Sequence, residues 1–339
     1  MWILGLWYRS FDFCYNATMK KISLLLGLLC VCFPVIAQEE SRLYVTPERE
    51  TFLNFPSQIL GDGYTLTVFL PQDSAAVPMQ YPVVYYLGLD RAEKEKTQSY
   101  AKEHKILLVG INLKEKDYDR LGGKLYDFFS QELIPYIELN YAAQTEPSQR
   151  ILAAKGERAA KAAAALFERE KRFGRLALLY PQGAWENLQV SSDRRVWVSG
   201  TQEELATVQA QLSSQGLLYG ANFAFSYGTY QEDWVSELNV AYLLAPKQDV
   251  LLKKLQLKTG TTMIPLQSGT SVSLVSYAVL NNAMQGVYIP SFVRTSPPYL
   301  DWEAPLGMLR VRAGAESGTV QISVSDGKIT ATTKIVLKK

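Results

Sequence analysis

The chain has 339 residues, of which 47% are hydrophobic and 20% charged, and its net charge is +2. That length suits one large or two medium domains, and the composition is that of a globular chain, which excludes general disorder. A balance this close to neutral lacks the basic surface that nucleic-acid binding needs, so no nucleic acid is expected as a partner.

From Met19, "MKKISLLLGLLCVCFPVIAQEE" sets two lysines before an apolar run and the small-residue site Val35-Ile36-Ala37. This is the pattern of a secretory signal peptide. Residues 1–37 are therefore read as an upstream extension followed by the signal, with the mature chain starting at Gln38. The apolar run is shorter than the roughly 20 residues that cross a bilayer, so no transmembrane span is expected after cleavage. Cys14, Cys30 and Cys32 all precede the cut. The mature chain is then without a disulfide or a thiolate ligand. With one histidine and no loop of calcium-hand spacing, the expected metal and cofactor are none.

Between Tyr64 and Ala245, apolar runs alternate with helical patterns: "YTLTVFL", "PVVYYLG", "ILLVGIN", "RILAA", "RLALLY", "RVWVSG" and "NFAFSY" read as strands. The alternation predicts an α/β fold with a mostly parallel sheet. "KLYDFFSQELIPYIELNY" predicts a helix with Leu125, Phe128, Phe129 and Leu133 on one face. "TQEELATVQAQLSSQG" does the same with Leu205, Val208 and Leu212 before a terminating Gly216. "QEDWVSELNVAYLLA" repeats the pattern through Trp234, Leu238 and Tyr242. From about residue 250 to 339, strict alternation replaces the helical period, and Asp326-Gly327 reads as a hairpin turn. These residues predict a small all-β sandwich of immunoglobulin type, with a barrel as the alternative.

The order of motifs in residues 50–245 resembles the esterase branch of the α/β-hydrolases, the group containing esterase D-like enzymes, enterochelin esterases and feruloyl esterases. "FPSQILGDGYTLTVFLP" and "YPVVYYLGLD" are similar to that family's entry strands and the strand before its oxyanion loop. "FFSQELIPYIELNY" followed by "RILAAKGERAAKAAAAL" resembles the stretch leading into the nucleophile elbow, and "SYGTYQEDW" stands where the family places its catalytic histidine before a tryptophan. The resemblance implies an α/β-hydrolase-like domain over residues 38–249, followed by the β-sandwich over 250–339.

It also implies where a triad would stand, and each of those positions is altered. The elbow reads Ala154-Lys155-Gly156-Glu157-Arg158, with Gly156 at the nucleophile position of G-x-S-x-G. The acid position falls at Glu203 or Glu204, but Thr201-x-x-Glu204 spells a capping box that would occupy Glu204. Tyr230 replaces the base, and a phenol is a poor base at neutral pH. His104, the single histidine, is expected to be a cation at a helix C-terminus. No catalytic residues are therefore assigned. The amide of Glu157 with one near Leu89 or Asp90 would form the remains of an oxyanion hole, Lys155 and Arg158 would add charge, and Tyr230 would stack on a ring.

The expected function is an exported, catalytically inactive esterase-like protein of the bacterial cell envelope, at the periplasm or cell surface. It would bind an aromatic ester, a siderophore fragment or a glycan, or scaffold envelope proteins. One alternative is a hydrolase with rearranged residues, using a water held by Glu157 and Glu203 or a hydroxyl from Ser199 or Ser226. The other places adhesion or complex assembly in the sandwich, whose closing "GTVQISVSDGKITATTKIVLKK" resembles the C-terminal sorting domains of type IX secretion in Bacteroidota.

Overall fold

The computed structural model of the protein describes residues 43–46, 49–61, 63–71, 79–88, 94–113, 115–183, 185, 188–228 and 234–339. The signal segment lies outside the described residues.

Nine strands form the first sheet: β1 (Leu43–Thr46), β2 (Arg49–Phe55), β3 (Tyr64–Phe69), β4 (Val83–Leu87), β5 (Leu107–Asn112), β6 (Arg150–Lys155), β7 (Arg175–Leu179), β8 (Arg195–Gly200) and β9 (Phe223–Tyr227). Their order is β1-β2-β3-β5-β4-β6-β7-β8-β9. The first three and β5 pair antiparallel, and from β5 to β9 every pairing is parallel. All seven apolar runs read from the sequence are strands of this sheet. Their continuous hydrophobicity has a direct cause, because a parallel sheet is covered on both faces. Each residue of β4, for example, is buried.

The helices are α1 (Lys94–His104), α2 (Glu115–Leu121), α3 (Lys124–Asp127), α4 (Ile134–Asn140), α5 (Glu157–Arg169), α6 (Gln202–Ser214), α7 (Trp234–Glu237) and α8 (Val240–Leu244). Two departures from the expected helices have local causes. Between α3 and α4 the backbone widens into a π-helical turn, Phe128–Leu133, where the Ile134 amide donates to the Phe129 carbonyl. Pro135 has no amide to continue the α-helical ladder, and the wider turn absorbs the break. The pattern through Trp234 and Tyr242 is two short helices, because the side chain of Asn239 accepts from the Tyr242 amide and caps α8. Trp234, Leu238 and Tyr242 are nevertheless all buried, as the periodicity requires.

Residues beyond Val250 build two more sheets from β10 (Leu252–Thr259), β11 (Met263–Pro265), β12 (Ser271–Leu280), β13 (Gln285–Val287), β14 (Val293–Ser296), β15 (Leu300–Glu303), β16 (Met308–Val311), β17 (Gly318–Ser325) and β18 (Thr330–Lys338). One runs β10-β12-β16-β15, with β13 also paired to β12, and the other runs β11-β18-β17-β14. Leu255, Val272, Leu274 and Leu309 of the first are buried, as are Ile264, Val320, Ile322, Val324 and Ile335 of the second. The β17–β18 hairpin turns at Asp326, whose carboxylate accepts from the Lys328 and Ile329 amides.

This β region is tied to α6 and to the turn before β9. The Tyr219 hydroxyl donates to the Val287 carbonyl at 2.7 Å. The Ile289 amide donates to Gln209 Oε1 at 3.0 Å, and the Gln209 amide group donates back to the Ile289 carbonyl.

Candidate functional site

In an open α/β sheet, ligands and chemistry sit at the carboxyl ends of the parallel strands. Here those ends are Gly88 after β4, Gly156 after β6, Tyr180 after β7, Thr201 after β8 and Gly228 after β9. Gly156 forms the turn from β6 into α5, with φ 83° and ψ 166°, a region open to glycine almost alone. Its amide donates to the Leu179 carbonyl at 2.8 Å, and its carbonyl accepts from Ala160 at 2.9 Å. The sharp strand-to-helix turn is therefore present, and no side chain projects from its apex.

The capping box expected at α6 is present in full. Thr201 accepts from the Glu204 amide, and Glu204 Oε2 accepts from the Thr201 amide at 2.7 Å. The other oxygen of Glu204 accepts from the Gln182 amide at 3.2 Å, which ties the turn after β7 to the start of α6. Glu204 is thus a structural carboxylate. Glu203, one residue earlier, is exposed on the first turn.

At the end of β9, Gly228 leaves no room for a side chain. A Cβ there would lie 2.2 Å from the Tyr180 hydroxyl and 2.3 and 2.4 Å from the two carboxylate oxygens of Glu237. Tyr180 holds φ at 54° and donates its amide to the Ser199 carbonyl. Glu237 is 5% exposed, and its main-chain carbonyl accepts from the Trp197 indole at 2.6 Å. Beside it, Trp234 stacks on Tyr86 with ring centroids 4.0 Å apart and planes 11° from parallel. Tyr180, Glu237, Tyr86 and Trp234 thus occupy the space under the strand ends. Their positions follow from tertiary packing, and the only sequence signal was that "RLALLY" ends in a tyrosine and "WVSE" in a glutamate.

No protein-family model and no curated protein matches the chain. Solved structures do resemble it. The serine hydrolase FphF of Staphylococcus aureus is 16% identical, with a TM-score of 0.46, over 57% of this chain and 97% of that one. A ferulic acid esterase from Anaeromyces mucronatus is 14% identical with a TM-score of 0.41, over 59% of this chain and 88% of its own. The enterochelin esterase of Shigella flexneri is 11% identical with a TM-score of 0.40, over 54% and 53%. These neighbours are esterases and serine hydrolases. They are of the kind that the sequence motifs resemble.

The remaining predicted site residues divide sharply. Leu89, Asp90 and Tyr230 lie outside the described residues. Lys155 is half-buried at the end of β6, while Glu157 and Arg158 are exposed on the first turn of α5. Arg158 reaches away from the elbow to pair with Asp119 of α2 at 3.2 Å. It lines a groove between α2, α3 and α5 together with Lys161 and Arg169.

Ser199 and Ser226 face each other in register on β8 and β9. The hydroxyl of each is buried and has no hydrogen-bond partner among the described residues, so no base activates either. His104 closes α1 beside the start of β5, at the end of the strands opposite Gly156. Its ring packs 4.1 Å from that of Tyr100. Burial pushes its pKa below the ordinary histidine value, so the ring is neutral at neutral pH. The ring does stand at the C-terminus of α1, as the sequence suggested, but burial there outweighs the charge of Glu103 and favours the neutral form over the expected cation.

Proposed function

We propose that the chain is an exported pseudo-hydrolase, an esterase-like sheet without ester chemistry that works as a binding or scaffolding module of the bacterial cell envelope. The observation that carries the reading is Gly156, a glycine-only backbone conformation at the apex where a nucleophile would stand. Acyl transfer needs a hydroxyl or thiol attacker, a base in reach, and a group that orients the base. Glu204 is committed to capping, the hydroxyls of Ser199 and Ser226 have no hydrogen-bond partner among the described residues, and the single histidine lies at the opposite end of the strands.

The appended region is read as an immunoglobulin-like sandwich. Its orders β10-β12-β16-β15 and β11-β18-β17-β14 divide the strands as the A-B-E-D and G-F-C sheets of that fold do, with β11 as a split first strand running parallel to β18. The ligand class is an aromatic ester, a siderophore fragment or a glycan, held by the main-chain donors that remain around the Glu157 amide.

Purified mature chain is expected to give no turnover of short-chain nitrophenyl esters above buffer and no labelling by a fluorophosphonate. Losing nucleophile or base alone costs a serine hydrolase on the order of a million-fold. Gly156→Ser is expected to stay silent as well, since the single histidine lies at the other end of the strands, and methyl ferulate is expected to bind without cleavage. Labelling of the wild-type chain at Ser199 or Ser226 would overturn the proposal.

Export is tested separately by fractionation. The full chain is expected in the envelope fraction, and a chain lacking residues 19–37 in the cytoplasm. Equal distribution of the two would remove the signal reading.

A further inference from the structure

The amino-terminal ends of the parallel strands, opposite Gly156, carry a polar cavity of about 250 Å³. It is lined by the starts of strands and the ends of helices. Ser148 and Gln149 precede β6, Arg175 opens β7, Asp193 and Arg195 lead into β8, and Lys247 follows α8.

Two guanidinium groups share this space. Arg195 is 2% exposed, and its Nη1 donates to the carbonyls of Tyr242, Leu243 and Ala245 at 2.6, 3.2 and 2.8 Å. Arg175 Nε donates to the Leu243 carbonyl at 2.7 Å, and its Nη1 to the carbonyls of Gly174 and Asp193 at 2.9 and 3.3 Å. These bonds cap the last carbonyls of α8, and they fix both guanidinium planes. They engage Nε and Nη1 of each arginine, and Nη2 of neither has a hydrogen-bond partner among the described residues.

Carbonyl oxygens satisfy hydrogen bonds but carry no net charge, so the two cations still repel each other. Burial, and after it the neighbouring charge of Arg195, pushes the pKa of Arg175 down to about 10. Neither arginine pairs with a carboxylate among the described residues. Asp193 is exposed, and its carboxylate is engaged first by the Ser191 hydroxyl. Arg194 is turned away, donating to the Phe167 and Glu170 carbonyls. Lys247 stands exposed at the rim.

We propose that this cavity is a binding site for a small oxyanion, a phosphate or carboxylate group gripped between Arg175 and Arg195 with Lys247 at the mouth. Two fixed guanidinium edges suit the paired oxygens of such a group. The cavity is smaller than the roughly 300–1,000 Å³ of sites for drug-sized ligands, so the occupant is a free anion or the anionic end of a larger molecule. The site is independent of the pseudo-hydrolase reading, since it lies at the other end of the strands and needs nothing of the elbow.

The test is calorimetric titration of the full mature chain with inorganic phosphate, sulfate and acetate at constant ionic strength, with chloride as the control. Saturable binding is expected for at least one oxyanion and not for chloride, and the preference between phosphate and acetate identifies the group. Lys247→Glu, at an exposed position, is expected to weaken binding about tenfold by losing one charge-assisted contact and adding repulsion. Gln149→Glu supplies a carboxylate at the cavity wall, and is expected to compete with the anion while raising the unfolding midpoint. Absence of saturable binding, or unchanged binding in both variants, would overturn the proposal.

Discussion

Replacing Trp234 with alanine is expected to destabilise the protein by about 3–5 kcal/mol, the range for removing a buried aromatic side chain. Trp234 is fully buried, and it stacks face to face on Tyr86, itself 1% exposed in β4. The indole nitrogen has no hydrogen-bond partner among the described residues, so the side chain contributes through packing alone. Trp234→Phe is therefore expected to keep more than half of the stability that alanine loses. α7 is too short to hold itself, since isolated helices below about 12 residues are marginal. The stack anchors the short helix that carries Glu237, whose carboxylate crowds Gly228. Urea unfolding gives the measurement: the midpoint should fall with an unchanged slope. A loss below about 1 kcal/mol would mean that the site collapses at little cost, contrary to a rigidly filled cavity.

Which parts of this were legible in the sequence follows a physical division. The strands from β3 to β9 announce themselves because both of their faces are buried, and Val83, Val84, Leu108, Ile151 and Leu178 leave unbroken apolar runs. The strands β1 and β2 carry no such mark. In β2 the buried residues are Thr51, Phe52 and Phe55, Leu53 is exposed, and the register shifts between Phe52 and Phe55, so no regular period marks the strand. At the site, short-range chemistry was readable. A glycine at a strand-to-helix apex and a Thr-x-x-Glu box depend on neighbours within a few residues. Tyr180 meeting Glu237 at Gly228 was not readable, because it joins segments separated by some 50 positions of chain. The pairing of Arg158 with Asp119 and the desolvation of His104 failed for the same reason: each is decided by a partner that only the folded chain supplies.

Gly220→Ala is expected to cost about 3 kcal/mol or more, through strain of roughly 1–3 kcal/mol at a positive φ and a similar term for overpacking. Gly220 holds φ at 81°, in the turn that leads into β9. A Cβ there would stand 2.2 Å from the Val250 carbonyl oxygen, 3.0 Å from Leu280 Cδ2 and 3.3 Å from the Leu252 amide. Two of these contacts are main chain, so no rotamer change relieves them. The backbone is held from the other side as well: the Gly220 amide donates to the Phe223 carbonyl at 2.7 Å, and its carbonyl accepts from the Tyr242 hydroxyl at 2.8 Å. The clash falls where the chain passes from the α/β sheet into β10. Nearby, Gly286 in the middle of β13 brings its backbone against β9, so close that a Cβ would meet the Tyr219 hydroxyl at 2.5 Å and the Phe225 carbonyl at 3.1 Å. An outer strand left bare is a template for pairing with another chain, and here the β region covers it. If the β region is a built-in guard for β9, calorimetry of Gly220→Ala should show a single transition at lower temperature, with the large sheet and the β region melting together. A separate, unshifted transition for residues 252–339 would show that the two parts fold independently and that the covering is incidental.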